Sequence, residues 1–190
     1  GPCPIIPITI SPTNSQNEGE LLSYYPTFWY NGSAQLLIEA WTNGGAPYNA
    51  RQCLKFDYSP IPIGATIDSA KLFLYADPNP SNGNFIDAMY GSSNSCYVQR
   101  ITSTWVMPNP FTWNSQPSVT TANQVIIPQS TSSSENSVID VTSLVRDMML
   151  NGNNGFFIRL VNEVTYNCRQ YVSSFGSDIS KHPKLIVKYH

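Results

Sequence analysis

The sequence RQCLKFDYSPIPIGATIDSAKLFLY, residues 51–75, contains two strand-like runs on either side of a loop with prolines and a glycine. In the first run Gln52, Leu54 and Phe56 alternate with polar or charged residues, a pattern typical of a strand with one face in water. The second run, residues 67–75, ends with apolar residues on both faces, as expected for a strand covered from both sides. Because the loop cannot continue a hydrogen-bonded ladder, the stretch predicts a corner of a β-sandwich.

This stretch resembles the signature of the DNRLRE family of bacterial extracellular modules, in which a Phe-Asp strand precedes a strand of the form P-x-G-A-T-I-x-S-A-x-L-x-L-Y. The blocks SCYVQRITSTW, FTWNSQPSVTT, IDVTSLVRDMML, NGFFIRLVNE and KHPKLIVKY follow in family order and at family spacing. The resemblance therefore covers nearly the whole chain. It implies an all-β, jelly-roll-like module on a secreted or cell-surface protein. Some relatives accompany polysaccharide lyases and are classed as alginate-binding modules, while many others have no assigned ligand.

The predicted fold is all-β, a two-sheet antiparallel jelly-roll-like sandwich with one short helix at residues 140–151. In that segment Val141, Leu144, Val145 and Met148 recur on one helical face, and Asn151-Gly152 is a stop signal. We expect this helix to close one end of the sandwich. Further strands are expected at residues 96–102, 156–161, 169–174 and 184–189, and loops at residues 12–20 and 41–49.

Composition favours an extracellular protein. The chain has 190 residues, of which 41% are hydrophobic, and this fits one soluble domain at residues 11–190 preceded by an arm at residues 1–10. Only 12% of residues are charged, so uncharged polar residues must form much of the surface. The net charge of −2 and the lack of a basic cluster disfavour nucleic acid and anionic membranes as partners. No membrane-spanning run is present, and a secretory signal would already have been removed.

Cys3, Cys53, Cys96 and Cys168 show no C-x-x-C spacing and no histidine at zinc-ligand spacing. This favours disulfides in an oxidising compartment over a metal site. Three pairings are open. The pair Cys53 with Cys168 is favoured because both residues lie in strands that contain an Arg-Gln pair, and it would leave Cys3 and Cys96.

The arm GPCPIIPITI, residues 1–10, is apolar and rich in proline. Its prolines exclude a central strand, so Ile5, Ile6, Ile8 and Ile10 are predicted to pack along a sheet edge. If that edge belongs to another copy of the chain, strand addition would build an extracellular fibre or surface array. An arm folded back on its own sandwich would explain the same residues.

Carbohydrate binding requires aromatic faces beside amide and hydroxyl groups. Trp29, Tyr30, Trp41 and Tyr48 lie in or next to predicted loops and are the favoured sugar-stacking residues, although each also fits an ordinary core or rim position. Arg51 is predicted to pair with a carboxylate if the ligand is acidic, as alginate is, and Lys55, Arg100 and Arg169 could do the same. The acidic net charge disfavours a surface selective for polyanions.

Glu18 and Glu20 are candidate ligands of a structural calcium ion, because calcium requires several oxygen ligands. The alternative is a solvated acidic loop. No other cofactor is expected.

Catalysis is not expected. His182 precedes a strand and His190 is terminal, so neither is placed as a general base, and no G-x-S-x-G motif is present. Carboxylates such as Glu39 and Glu163 could still meet in space. The sequence thus predicts a non-catalytic, secreted or cell-surface module that binds a polysaccharide or glycan surface, or alternatively copies of itself as a structural subunit.

Overall fold

The computed structural model describes residues 4–12, 17–105 and 111–190. The described residues form two antiparallel sheets and one α-helix, so the predicted all-β sandwich is confirmed. The strands are β1 (Ile6–Ile10), β2 (Glu18–Leu22), β3 (Gln35–Asn43), β4 (Ala46–Leu54), β5 (Ile67–Leu74), β6 (Met89–Tyr90), β7 (Cys96–Ile101), β8 (Val119–Ile127), β9 (Ser137–Asp140), β10 (Phe156–Leu160), β11 (Asn167–Val172) and β12 (Lys184–Tyr189). The helix α1 is Thr142–Asn151, and a short 3-10 helix is Ile179–Lys181.

The smaller sheet has four strands in the order β1-β12-β5-β9. The larger sheet has eight strands in the order β6-β11-β3-β4-β10-β7-β8, with β2 paired to β4. Alternate side chains of each sheet meet in the main core, where Ile38 of β3, Leu72 of β5 and Val187 of β12 are all buried. This alternation leaves the other residues of β3 to face away from the core.

The predicted helix is present as α1 and contributes Leu144, Val145 and Met148 to the main core. It begins where the Asp140 carboxylate accepts a hydrogen bond from the Thr142 amide at 3.0 Å. It ends where the Gly152 amide donates to the Met148 carbonyl at 3.0 Å. These local hydrogen bonds explain why the sequence pattern located the helix well.

A second apolar cluster covers the outer face of the larger sheet. We call it the tryptophan cluster: Leu21, Cys53, Ile101, Trp105 and Phe157, with Trp29, Phe111, Trp113 and Val119 packed against them. The expectation of a wet face in the first run of residues 51–75 is therefore wrong. Side chains from loops distant in sequence cover that face, and β4 ends at Leu54 rather than continuing to residue 57.

Residues 41–49 form a tight hairpin and not the predicted loop. Asn43 pairs with Ala46, and the two residues between them are Gly44 and Gly45 with φ of 57° and 87°. Positive φ at both central positions matches a type I′ turn, whose twist suits the flanking strands. The hairpin extends β3 and β4 far enough to place Trp41 directly opposite Tyr48.

The amino-terminal arm lies at the edge of the smaller sheet. In β1, Ile6 pairs with Tyr189 and Ile10 with Leu185 of the same chain. Ile10 is buried and Ile8 packs against the main core, while Ile5 and Ile6 are exposed. The arm thus occupies the edge of its own sheet, and strand addition between copies stays a prediction.

The predicted disulfide between Cys53 and Cys168 is wrong, because both residues are buried free thiols, as is Cys96. Cys53 lies on β4 and Cys168 on β11, and β3 runs between these strands. Strands two places apart are separated by about 10 Å, beyond the roughly 7 Å between Cα atoms that a disulfide spans. Burial raises the pKa of the Cys96 and Cys168 thiols to about 12, which makes them unreactive. Cys3 lies outside the described residues.

Candidate functional site

A groove runs over the residues of β3 that face away from the core. We call it the tyrosine groove; it consists of two adjoining cavities of about 430 and about 220 Å³. Tyr48, Asn43 and Asn82 line both cavities and join them. The larger cavity is also lined by Glu20, Leu22, Tyr24, Tyr25, Tyr30, Asn31, Gly32, Ser33 and Leu37, and the smaller by Trp41, Thr42, Gly83 and Phe85.

Aromatic rings form the wall of the larger cavity. The rings of Tyr24 and Tyr25 are 4.8 Å apart, those of Tyr25 and Tyr30 are 5.5 Å apart, and those of Tyr24 and Tyr48 are 6.4 Å apart. Tyr24 and Tyr25 are 43% and 44% exposed. Each ring is therefore held by its neighbours while one surface stays open to a ligand.

A second aromatic group lies at the other end of the groove. Trp41 packs edge-on against Tyr90 at 5.5 Å and against Tyr166 at 5.1 Å. Phe85 and Tyr166 are exposed, and both have positive φ, 62° and 69°. Bulky residues adopt this backbone conformation rarely, and such strain is concentrated at functional sites.

Two carboxyl groups lie at or beneath the floor of the groove: Glu20 lines the larger cavity, and Glu39 is buried behind Tyr48. Tyr48 donates its hydroxyl hydrogen to Glu39 Oε1, while Glu39 Oε2 is buried without a hydrogen-bond partner in the described part of the chain. Burial, together with the nearby charge of Glu39, raises the pKa of Glu20 to about 8. Burial likewise raises the pKa of Glu39 to about 7, against the opposing effect of the Tyr48 hydrogen bond. Both carboxyl groups thus hold protons at pH values where exposed glutamates are ionised.

A loop over the smaller cavity is held by Gln35 at the start of β3. Gln35 Oε1 accepts hydrogen bonds from Ser81 Oγ at 2.9 Å and from Asn82 Nδ2 at 2.8 Å, and its amide nitrogen donates to Asp77. Gln170 on β11 adds a bond from its Nε2 to the Asn82 carbonyl at 3.0 Å. These contacts position Asn82 above the sheet beside Tyr48.

The structure brings together three of the five predicted carbohydrate-binding residues. Tyr30, Trp41 and Tyr48 line the groove. Trp29 instead packs in the tryptophan cluster, 5.4 Å from the Trp105 ring and directly over Gly19, where a Cβ atom would collide with its indole.

Arg51 also lies outside the groove. Its Nε and Nη2 donate to the two carboxylate oxygens of Glu163 at 2.6 and 2.7 Å, and its Nη1 donates to Gln116 at 2.7 Å. The guanidinium carbon is 4.5 Å from the centre of the Trp113 ring. The protein itself therefore occupies the donors that were predicted to bind an acidic ligand.

Sequence reasoning missed Tyr24, Tyr25, Asn82 and Phe85 as groove residues. The Tyr24-Tyr25-Pro26 run was visible as an aromatic-rich segment, but nothing in it indicated an exposed wall. Asn82 could not be placed from the sequence, because its position depends on hydrogen bonds to Gln35 and Gln170, which are distant in sequence.

Glu18 and Glu20 lie on β2 and are buried, so the solvated acidic loop is wrong for these two residues. The Glu18 carboxylate accepts the Ser174 amide hydrogen at 3.0 Å. In the described ranges, no group of three or more His, Cys, Asp or Glu side chains could surround a metal ion. Calcium binding by Glu18 and Glu20 stays a prediction.

Comparison with known proteins identifies the family. The family model described as carbohydrate-binding module family 96 matches residues 24–189. The chain belongs to this family. The match covers the groove from Tyr24 onward, and family 96 membership points to carbohydrate as the partner. Modules of this kind typically bind sugars without catalysing a reaction and are commonly extracellular.

No curated protein matches the chain significantly. No helix in the described ranges is long and apolar enough to cross a membrane. The family 96 match supports the carbohydrate-binding part of the resemblance noted from the sequence. A DNRLRE relationship and alginate as the ligand stay hypotheses.

Proposed function

We propose that this chain is the non-catalytic carbohydrate-binding module of a secreted or cell-surface protein, and that a glycan binds in the tyrosine groove. The observation that carries this proposal is the groove itself, an open channel in which aromatic rings alternate with amide and hydroxyl groups. Such a lining suits sugars, whose ring faces carry apolar CH groups while their edges carry hydroxyls.

In the proposed mode of binding, sugar rings stack on Tyr24 and Tyr25 at one end and on Trp41 at the other. Asn43 and Asn82, which both cavities share, hydrogen-bond hydroxyl groups between these platforms. The Tyr48 ring lines both cavities, and its hydroxyl is held in place by Glu39. A ligand with several linked sugar units would fill both cavities, so an oligosaccharide should bind more tightly than a monosaccharide.

Titration calorimetry following a glycan array tests this function. Tyr24→Ala and Trp41→Ala should each weaken binding of the array ligand by about tenfold or more, equivalent to about 1.4 kcal/mol. Tyr75→Ala is the matched control, because Tyr75 lies outside the groove with Lys184 over its ring. An array without any ligand, or equal affinities in all three variants, would contradict the proposal.

The absence of catalysis is part of the proposal. His182 Nε2 is bonded to the Gly176 carbonyl and His190 Nδ1 to Asp68, so both histidines are engaged away from the groove. Glu39 is completely buried beneath Tyr48 and has no access to a substrate. We expect no release of reducing ends from a polysaccharide panel; release that disappears in Glu20→Gln would show that the module is an enzyme.

We also propose, separately from glycan binding, that a structural calcium ion binds at Glu18 and Glu20. The test is thermal unfolding with calcium or with a chelator, compared in wild type and Glu18→Gln. A wild-type melting temperature that does not change with calcium would contradict calcium binding at this site.

A further inference from the structure

We infer that the tyrosine groove selects neutral glycans and disfavours uronate-containing polymers. This inference rests on the proposed function and specifies its ligand class. It follows from two observations: no lysine or arginine lines either cavity among the described residues, and the Glu20 carboxyl group lies in the lining, with Glu39 buried behind Tyr48. An acidic sugar would enter a site that offers its carboxylate no positive partner.

Three of the four cations suggested by the sequence have partners outside the groove, and the fourth, Arg100, lies on β7 and lines neither cavity. Arg51 is paired with Glu163. Arg169 is fully buried, and its guanidinium donates to the Asn94 carbonyl at 2.6 Å and to the Tyr171 hydroxyl at 2.9 Å. Lys55 lies 5.7 Å from the centre of the Trp105 ring, on the tryptophan cluster. These residues therefore offer a carboxylate in the groove no charge-assisted hydrogen bond.

The remaining arginines that the structure describes with partners lie on other surfaces. Arg146 donates to the backbone carbonyls of Ile67 and Asp68. Arg159 stacks 5.0 Å from the centre of the Tyr97 ring and donates to the Leu160 carbonyl. These contacts hold both arginines outside the groove.

The two carboxyl groups interact more favourably with a neutral ligand than with an acidic one. A sugar hydroxyl can hydrogen-bond to Glu20 whether that carboxyl group is protonated or ionised, because a hydroxyl both donates and accepts. A uronate carboxylate can only accept, and it must lose part of its hydration in the groove. Ionised Glu20 or Glu39 would repel it further, and this repulsion is strongest at alkaline pH.

The polar groups that are open to ligand are uncharged. Asn43, Asn82 and Ser33 present amide and hydroxyl groups, and Tyr24 presents a phenol. Each of these matches a hydroxyl group, whereas none supplies the formal charge that offsets desolvation of a carboxylate. The lining is thus complementary to a neutral chain of hexoses or pentoses.

Two pairs of probes isolate the effect of charge. The first pair is β-1,4-mannohexaose and the β-1,4-mannuronate hexamer, and the second is cellohexaose and its C6-oxidised glucuronate form. Within each pair the backbone is the same and only C6 changes from a hydroxymethyl group to a carboxylate. Affinities are measured by titration calorimetry of the whole chain near pH 7, at about 50 and about 500 mM NaCl.

We expect a neutral hexamer to bind at least about tenfold more tightly than its oxidised counterpart. Binding of the neutral hexamer should change less than about twofold with salt, because no ion pair is formed. Its affinity should fall by about tenfold or more in Tyr24→Ala and stay unchanged in Tyr75→Ala.

A uronate hexamer that binds as tightly as its neutral counterpart, or more tightly, and is lost in Tyr24→Ala would overturn the selectivity while leaving the groove as the binding site. Failure of all four hexamers to bind also overturns the inference. The proposed function is contradicted as well only if the glycan array shows no ligand of any kind. Failure of the selectivity can therefore be distinguished from failure of the proposed function.

Discussion

Buried carboxyl groups link the stability of this protein to pH. Burial raises the pKa of Glu20 from 4.5 to about 8 and that of Glu39 from 4.5 to about 7. The folded chain therefore holds protons that the unfolded chain has already released. The stabilisation is complete below the unfolded pKa near 4.5 and is lost as the pH rises through the folded values.

We accordingly predict that the free energy of unfolding decreases between about pH 5 and about pH 9. Glu20→Gln should flatten this dependence, because an amide cannot ionise and still fits the same space. Urea unfolding of both proteins across this range is the measurement. Stability that rises with pH, or a slope that is the same in the variant, would show that Glu20 is not held protonated.

The two tryptophans that the sequence grouped together should behave in opposite ways. Trp29 packs against Trp105 and over Gly19, so Trp29→Ala should lower the free energy of unfolding by about 3 kcal/mol while the folded fraction keeps its glycan affinity. Trp41 lines the groove, so Trp41→Ala should mainly reduce affinity. Denaturation measures the stability of both variants, and calorimetry measures their glycan affinity. A stable Trp29→Ala that has lost affinity, together with an unstable Trp41→Ala that keeps it, would contradict this assignment.

At the scale of elements, the hairpin of β3 and β4 positions the groove. Its two-residue turn requires positive φ at Gly44 and Gly45, and the resulting register places Trp41 opposite Tyr48. A slip of one residue would turn both side chains to the other face of the sheet. The geometry of the groove therefore depends on two glycines that line neither cavity.

We predict that Gly44→Val destabilises the protein by about 1–2 kcal/mol and weakens glycan binding, because a β-branched residue is strained at positive φ. Gly44→Asn is the matched control, since asparagine tolerates this conformation, and it should behave nearly as wild type. Unfolding curves and titrations of the two variants test the prediction. Equal behaviour of valine and asparagine would mean that the turn does not hold the register.

At the scale of the whole molecule, the amino-terminal arm forms the edge of the smaller sheet. In the structure β1 occupies the free edge of β12, and the family match begins only at residue 24. A covered edge discourages pairing with another copy. The arm thus acts as a cover for its own sheet in the arrangement that the structure shows.

We predict a monomeric full-length chain in light scattering, and lower stability with aggregation when residues 1–10 are deleted, because deletion exposes the edge of β12. Filaments formed by the full-length chain but not by the truncated one would instead support the fibre-subunit alternative. Electron microscopy of both proteins distinguishes these outcomes.

The sequence by itself determined the features that depend on near neighbours. Alternation along residues 67–75 indicated β5, one-face spacing indicated α1, and the prolines of the arm indicated an edge strand. It also supplied the tyrosines and tryptophans from which carbohydrate binding was inferred. Each of these follows from local backbone chemistry, which a single strand or turn expresses without its partners.

Tertiary structure decided which faces were covered and which residues met. The tryptophan cluster covers the side of β4 that the pattern suggested was wet, and it holds Trp29 and Arg51 outside the tyrosine groove. Sheet order separates Cys53 from Cys168. Glu20 and Glu39 become buried neighbours, because pairing between strands far apart in sequence brings their side chains under one groove; no periodicity within either strand contains that information.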